Sequence, residues 1–533
     1  MKISKESSRI LGKDWWQYHP YSNVTDVDNY CITLCNKVLK IVRQSTIAEF
    51  LNGLKEEKAL ACILTAYFED VISETRLFST FTRLHKKMYG KALPFYDTSD
   101  DDYYDDEINL QDIYFLIWYY TSVQDNTMLY DPYFENDTGF NKAVSELYSL
   151  FEGEFENAPQ NEKLQQFLQL SPGSDVKTVR GKLGFIAQES FLWNTTSDIF
   201  FRKIIEKYKK NDIVVLDDES NVQFYDERIN FIFNEYLPLL SLRANEYYAE
   251  ILGEEHPEYQ FIKNISTRIF GCFLILKIEN NGFLIEHLTS KKQLFLSKEF
   301  TSFEKIKLVE NETVLSLGLV HWKDDVWQNQ GGCIIHTIHE MKGEDLSEHL
   351  FADENKKKEI LGMLEKAFLS ITNGKRIAYM RGNIEFQDFY RRLFMQHAKI
   401  VDPEITDEEL DERHKILTEN SGSLKPFEKD EEMCVYFNPN SGIEVYRESV
   451  VRCMPDTNNP YYASHNFDIS DFLTVKSFSK EFINYVIENN LINLSILDYE
   501  NPDMFRIVTD NFDFLLRFFR RSSYFTEPQV TIQ

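Results

Sequence analysis

Four side chains in the first quarter of the chain have the types that acid–base or metal chemistry uses: Glu69, Asp70, His85 and Asp112. Glu69 and Asp70 follow Tyr67-Phe68, His85 lies about four helical turns further on, and Asp112 stands inside the apolar run NLQDIYFLIWYYTSV. A carboxylate in so apolar a helix must be hydrogen-bonded, ion-paired or bound to a metal, because isolated burial of a charge is costly. Two readings stay open. The set could form the site of a metal-dependent enzyme of hydrolase type, although di-metal bundles use Glu-x-x-His on facing helices and that pairing is missing. Alternatively it is a buried polar network or ion pair with Lys86, Lys87 or Arg76.

Cys333, His336 and His339, with Glu340 beside them, offer zinc ligand types. In a strand, however, residues an odd number apart point to opposite faces, so His336 and His339 diverge. A structural strand is the expectation, with no metal. Cys31 and Cys35 lie one helical turn apart and lack two further ligands, so they read as small buried residues. The chain contains no G-x-S-x-G, Walker-type loop, G-x-G-x-x-G or H-E-x-x-H. Gly331-Gly332 reads as a strand entry.

Aromatic clusters supply candidate binding residues instead. Trp322 and Trp327 flank Lys323-Asp324-Asp325, a hairpin tip, and small barrels often bind through such loops. Trp15, Trp16 and His19, with Tyr21, form a second cluster in DWWQYHPY. Either group could equally anchor a core.

The elements that position these residues are mostly helices. Thr25 and Asp26 can cap a helix through NYCITLCNKVLKIV, and a longer one runs from Leu54 to Met88, with Leu60, Ile63, Leu64, Tyr67, Val71 and Phe78 on one stripe. Gly90 and Pro94 end it. The segment 97–107 has seven acidic residues in eleven but no glycine at a bend, so a solvated loop is expected rather than a calcium loop. Helices fill 141–210 and 227–252. Between 269 and 338 come six β segments starting at Cys272, Phe283, Gln293, Lys305, Thr313 and Gly332, the first two joined by Asn280-Asn281-Gly282, which suits positive φ. Helices at 356–372 and 385–397, a charged connector over 402–432, a hairpin near 433–447 and helices from Ser479 and Asn511 complete the chain.

At 533 residues more than one domain is expected. The 43% hydrophobic and 27% charged fractions are ordinary for a globular protein. A net charge of −28 makes nucleic acid an unfavourable partner. No run reaches the ~18–20 apolar residues of a membrane span, the start lacks a signal-like stretch, and seven scattered cysteines suit a reducing compartment. A cytoplasmic protein without membrane association is therefore expected.

Several segments together resemble an uncharacterised bacterial family known only as a domain of unknown function: KDWWQYHPY, AYFEDVISETRLFSTFTRLHKKMYGKALPFY, EINLQDIYFLIW and NFDFLLRFFRRSSYFTEP. The β segments also fit, so the resemblance extends over nearly the whole chain. Phe273 to Thr289 is similar as well to small barrels of other uncharacterised bacterial proteins. No activity, cofactor or catalytic residue follows from the resemblance.

The expected fold is α+β, mainly α: a helical region over 1–258, a small β-barrel or roll over 259–342, and a helical region with a β-hairpin over 343–533. The leading functional expectation is a non-enzymatic intracellular binding or scaffold protein with a protein or small-molecule partner. The alternatives are the metal-dependent enzyme and single-stranded nucleic-acid association through the β segments.

Overall fold

The computed structural model describes residues 8–21, 24–99, 103–104, 106–134, 138–210, 222–299, 307–341, 354–420, 431–496, 499 and 501–525. The chain forms two units, one of Met1–Leu350 with Asp510–Phe518, the other of Phe351–Thr509 with Phe519–Gln533. Helices dominate and strands are a minority, so the fold is α+β and mainly α.

In the first unit the helices are α1 (Gly12–Trp15), α2 (Asp26–Arg43), α3 (Leu54–Ile72), α4 (Leu77–Tyr89), α5 (Leu110–Gln124), α6 (Thr138–Phe155), α7 (Glu162–Leu168), α8 (Val176–Gly184), α9 (Asn194–Lys210), α10 (Val222–Asn234), α11 (Ala244–Leu252) and α12 (Tyr259–Lys263). Thr25 caps α2 reciprocally with Asp28. Cys31, Leu34, Cys35, Val38, Leu39 and Val42 form its buried stripe. Both α3 and α5 are buried nearly all round, which makes them the central helices of this unit.

The long helix expected from Leu54 to Met88 is two helices. Asp70 is the reason: one carboxylate oxygen accepts from the Thr75 hydroxyl and from Leu77 N at 2.8 Å, and the other from Phe78 N at 2.8 Å. It thereby satisfies the orphan N–H groups that start α4. The link puts Glu74 and Arg76 at φ 51° and 64°, the left-handed region that side chains with a Cβ rarely occupy. The helix expected over 227–252 is also split, into α10 and α11 around Pro238, which has no N–H to donate. From the far end of the chain, Phe514 packs against Phe81, His85 and Trp118.

Five strands follow: β1 (Ile269–Ile278), β2 (Gly282–His287), β3 (Gln293–Ser297), β4 (Thr313–Lys323) and β5 (Val326–Thr337). They pair in the order β1-β2-β3-β5-β4, and β4 pairs with β1, so the sheet closes on itself. Residues 307–310 of the expected fourth segment are not a strand, and Lys305 and Ile306 lie outside the described residues. The β1–β2 connection forms at Asn280-Asn281, but none of Asn280, Asn281 and Gly282 has positive φ. Glycine is needed at 282 for room: a Cβ there would lie 2.4 Å from a Phe295 ring atom and 2.5 Å from the Leu296 carbonyl oxygen. Gly331-Gly332 lies inside β5, not at its start, where the register against β4 shifts.

The second unit holds α13 (Glu354–Ile371), β6 (Ile377–Arg381), α14 (Gly382–Val401), α15 (Asp407–Asn420), β7 (Glu432–Asn438) and β8 (Gly442–Arg447). Residues 421–430 of the expected connector lie outside the described residues. The hairpin near 433–447 is present and gains β6 as a third antiparallel strand. Phe368, Phe389, Met433, Val435 and Phe437 join α13 and α14 to that sheet.

Candidate functional site

The two candidate groups near the start of the chain converge. The segment from Trp15 to Tyr21 packs onto α3, and His19 Nε2 lies 2.7 Å from Glu69 Oε2, both side chains almost fully buried. His19 Nδ1 is 3.3 Å from the Trp15 carbonyl, so in its protonated form the ring donates from both nitrogens. Burial lowers the His19 pKa, but the charge and hydrogen bond of Glu69 outweigh it, and the net shift is upward. Glu69 Oε1 accepts from Asn161 Nδ2 at 2.8 Å, and the same amide donates to the Tyr21 hydroxyl at 2.5 Å. The Trp15 indole donates to Asp28 at 3.0 Å. Trp15 is fully buried and is a core anchor; Trp16 is half-buried, and its indole nitrogen has no hydrogen-bond partner. Glu69 pairs with His19 in this network, while Lys87 pairs with Glu254 and Arg76 stands exposed.

The other three ionisable candidates occupy separate environments. Asp70 starts α4, and burial pushes its pKa up to about 6 against the pull of its three donors. Asp112 accepts from the hydroxyls of Tyr67 at 2.6 Å and Tyr103 at 2.9 Å and from Asn109 Nδ2 at 3.1 Å. His85 sits among Phe81, Tyr89 and Phe514, with Nδ1 2.7 Å from the Lys91 carbonyl and Nε2 buried without a partner. Burial pushes its pKa down to about 4, so it is neutral at pH 7. Among the described residues no group of three His, Cys, Asp or Glu side chains could hold a metal ion. Cys333 and His336 lie on β5 opposite Leu317 and Val314.

Asp70 and Asp112 share the wall of an open cavity of about 830 Å³, which α3, α4, α5 and the acidic loop line with Tyr67, Tyr103, Arg76 and Arg83. Inside, the two buried carboxylates are saturated by protein donors. At the rim, Glu74, Asp106, Glu107 and Glu156 are exposed, and none is ion-paired among the described residues. Of the two arginines, Arg83 is held by Glu250 at 3.6 Å and Arg76 is unpaired. The rim is therefore net acidic, with Tyr and Phe rings beneath it. Residues 9–272 match the family model described as Protein of unknown function (DUF3843). This region belongs to the DUF3843 family.

No curated protein and no solved structure matches the chain. The DUF3843 match covers the network and the cavity and ends inside β1, so it is shorter than the near-complete resemblance expected. Trp322 and Trp327 lie beyond it, on the β4–β5 hairpin, whose tip residues Asp324 and Asp325 have φ of 52° and 61°. Trp322 packs edge-on against Phe261 of α12 at 5.1 Å, and Trp327 lies 5.3 Å from the His321 ring. Both are half-buried; Trp322 ties the hairpin to α12, whereas Trp327 packs across the hairpin itself. Within the DUF3843 region, sequence reasoning missed Tyr67 and Tyr103 as cavity residues and expected Arg76 in an ion pair, whereas it lines the cavity. The one available signal was the pair Tyr103-Tyr104 set among the acids of 97–107, a segment that brings Tyr103, Asp106 and Glu107 to the cavity.

Proposed function

We propose that the chain is a non-enzymatic binding protein of the cytoplasm whose DUF3843 region receives small amine-bearing ligands in the acid-rimmed cavity. One observation carries this reading: the buried Asp70 and Asp112 are engaged by internal donors, whereas the four rim carboxylates have no cationic partner among the described residues. A cleft lined by one sign of charge raises the local concentration of the opposite sign. Aromatic faces below the rim favour ammonium groups further. Seven free thiols suit a reducing compartment. The five-stranded closed sheet, read as a small barrel, serves here as a scaffold element rather than a nucleic-acid site.

The test is isothermal titration of the full chain with spermidine, alongside a sodium chloride control of matched ionic strength. Binding that weakens tenfold or more in the Glu107→Gln/Glu156→Gln variant supports the reading. Absence of heat, or unchanged affinity in the variant, sinks it.

A further inference from the structure

A second cavity, of about 260 Å³, lies between α1, α3, α5 and α9. We propose that it is a binding site for a small oxyanion, a phosphate or a carboxylate. Three side chains at least nine-tenths buried line it with donors that the protein does not use up. Lys58 is 5% exposed, and its ammonium has one partner, Asp14 at 3.2 Å, although it carries three donor hydrogens. The Tyr120 hydroxyl is buried and has no partner in hydrogen-bond geometry, with the Gln124 side chain close enough to pull its pKa down against the larger upward push of burial. Tyr18, 3% exposed, makes no side-chain hydrogen bond to the described residues.

The outer wall adds Lys13, Lys55 and Arg202. The acids present are already engaged. Asp14 holds Lys58, Asp198 is ion-paired with Lys55 and Arg202 at 3.2 Å each, and Glu56 accepts from the Asn52 backbone N–H at 2.8 Å. Cations outnumber acids here by four to three, in a chain whose net charge is −28. An unsatisfied buried hydroxyl costs stability. A ligand oxygen between Lys58, Tyr18 and Tyr120 relieves that cost and takes hydrogen bonds strengthened by its own charge. Oxyanions meet the donor set because their charged oxygens accept.

The experiment is titration of the full chain with inorganic phosphate, and separately with acetate, against chloride at matched ionic strength, read by melting temperature and by calorimetry. Phosphate or acetate should raise the melting temperature above the chloride control, and the arm that binds more tightly identifies the ligand class. In the Tyr18→Phe/Tyr120→Phe variant the melting temperature in chloride should be unchanged or higher, because an unpartnered hydroxyl is removed, while the dissociation constant rises tenfold or more. Lys58→Gln should abolish binding; because it also strips Asp14 of its partner, the tyrosine variant keeps the proposal testable if that protein misfolds. An oxyanion effect equal to that of chloride, or one that survives intact in the tyrosine variant, overturns the proposal.

Discussion

The α3–α5 pair carries a cavity at each end, and the two are opposite in character. The C-terminal half of α3 and the first turn of α5 wall the acid-rimmed cavity, whereas the N-terminal half of α3 and the last turn of α5 wall the donor-lined one. Both contain acids and bases in mixed numbers. What separates them is which groups are already bonded inside the protein. Asp70 and Asp112 are saturated and leave only rim carboxylates to act outward; at the other end Asp14, Asp198 and Glu56 are engaged, and the spare groups are donors. A cavity's preference follows from its unspent hydrogen-bonding capacity rather than from its residue inventory.

The largest test of that comparison is to remove the network between the two ends. Glu69→Ala removes one partner of the buried His19–Glu69 pair, and losing one partner of a buried pair costs about 3–5 kcal/mol. Denaturant unfolding should show a loss of that size, with both ligand responses weakened together. A loss under 1 kcal/mol would mean that the ends do not depend on the network.

Protonation of His85 comes next. Its folded pKa of about 4 lies below the unfolded 6.5, so its contribution is full above pH 6.5 and is lost as pH falls toward 4. The shift corresponds to about 3 kcal/mol. Melting temperatures between pH 7 and pH 4 should fall less steeply in His85→Phe than in the parent; equal slopes would reject the assignment. His19 has the opposite sign, because its raised pKa adds stability below pH 6.5 that is lost as pH rises through the folded value.

Asp70→Ala is a smaller and more selective change. It strips the start of α4 of its cap and should cost about 1–2 kcal/mol. Because Asp70 lies at one end only, spermidine binding should weaken while the phosphate response persists. Loss of both would contradict the separation of the two cavities. The mildest change is Glu156→Gln at the rim, which should move stability by less than about 0.5 kcal/mol and weaken spermidine alone in the same titration.

Much of this architecture was legible from local signals. The Thr25 cap, the stripe of α2, the hairpin near 433–447 and the strand-rich segment after 269 each follow from spacing along the chain. Pro238 does mark the break within 227–252, whereas the long helix over 54–88 was misjudged because Ser73-Glu74-Thr75-Arg76 carries no glycine or proline to announce a break. There the carboxylate of Asp70 competes with the helix for backbone N–H groups, and periodicity does not register that competition. Gly282 was expected for its turn conformation, yet its place is set by the approach of Phe295, a residue on another strand.

By itself, the sequence determined which stretches are helical or extended, that Asp112 in its apolar helix needs partners, and that the chain is strongly acidic. These depend on neighbours within a few residues or on a sum over the chain. Only the tertiary structure decided that His19 is the partner of Glu69, fifty residues away, that Glu69, Asp70 and Asp112 are spent internally, and that Lys58, Tyr18 and Tyr120 share a cavity. The reason is physical: whether a buried donor or acceptor is satisfied depends on distances between segments remote in sequence, and composition and spacing along the chain do not encode those distances.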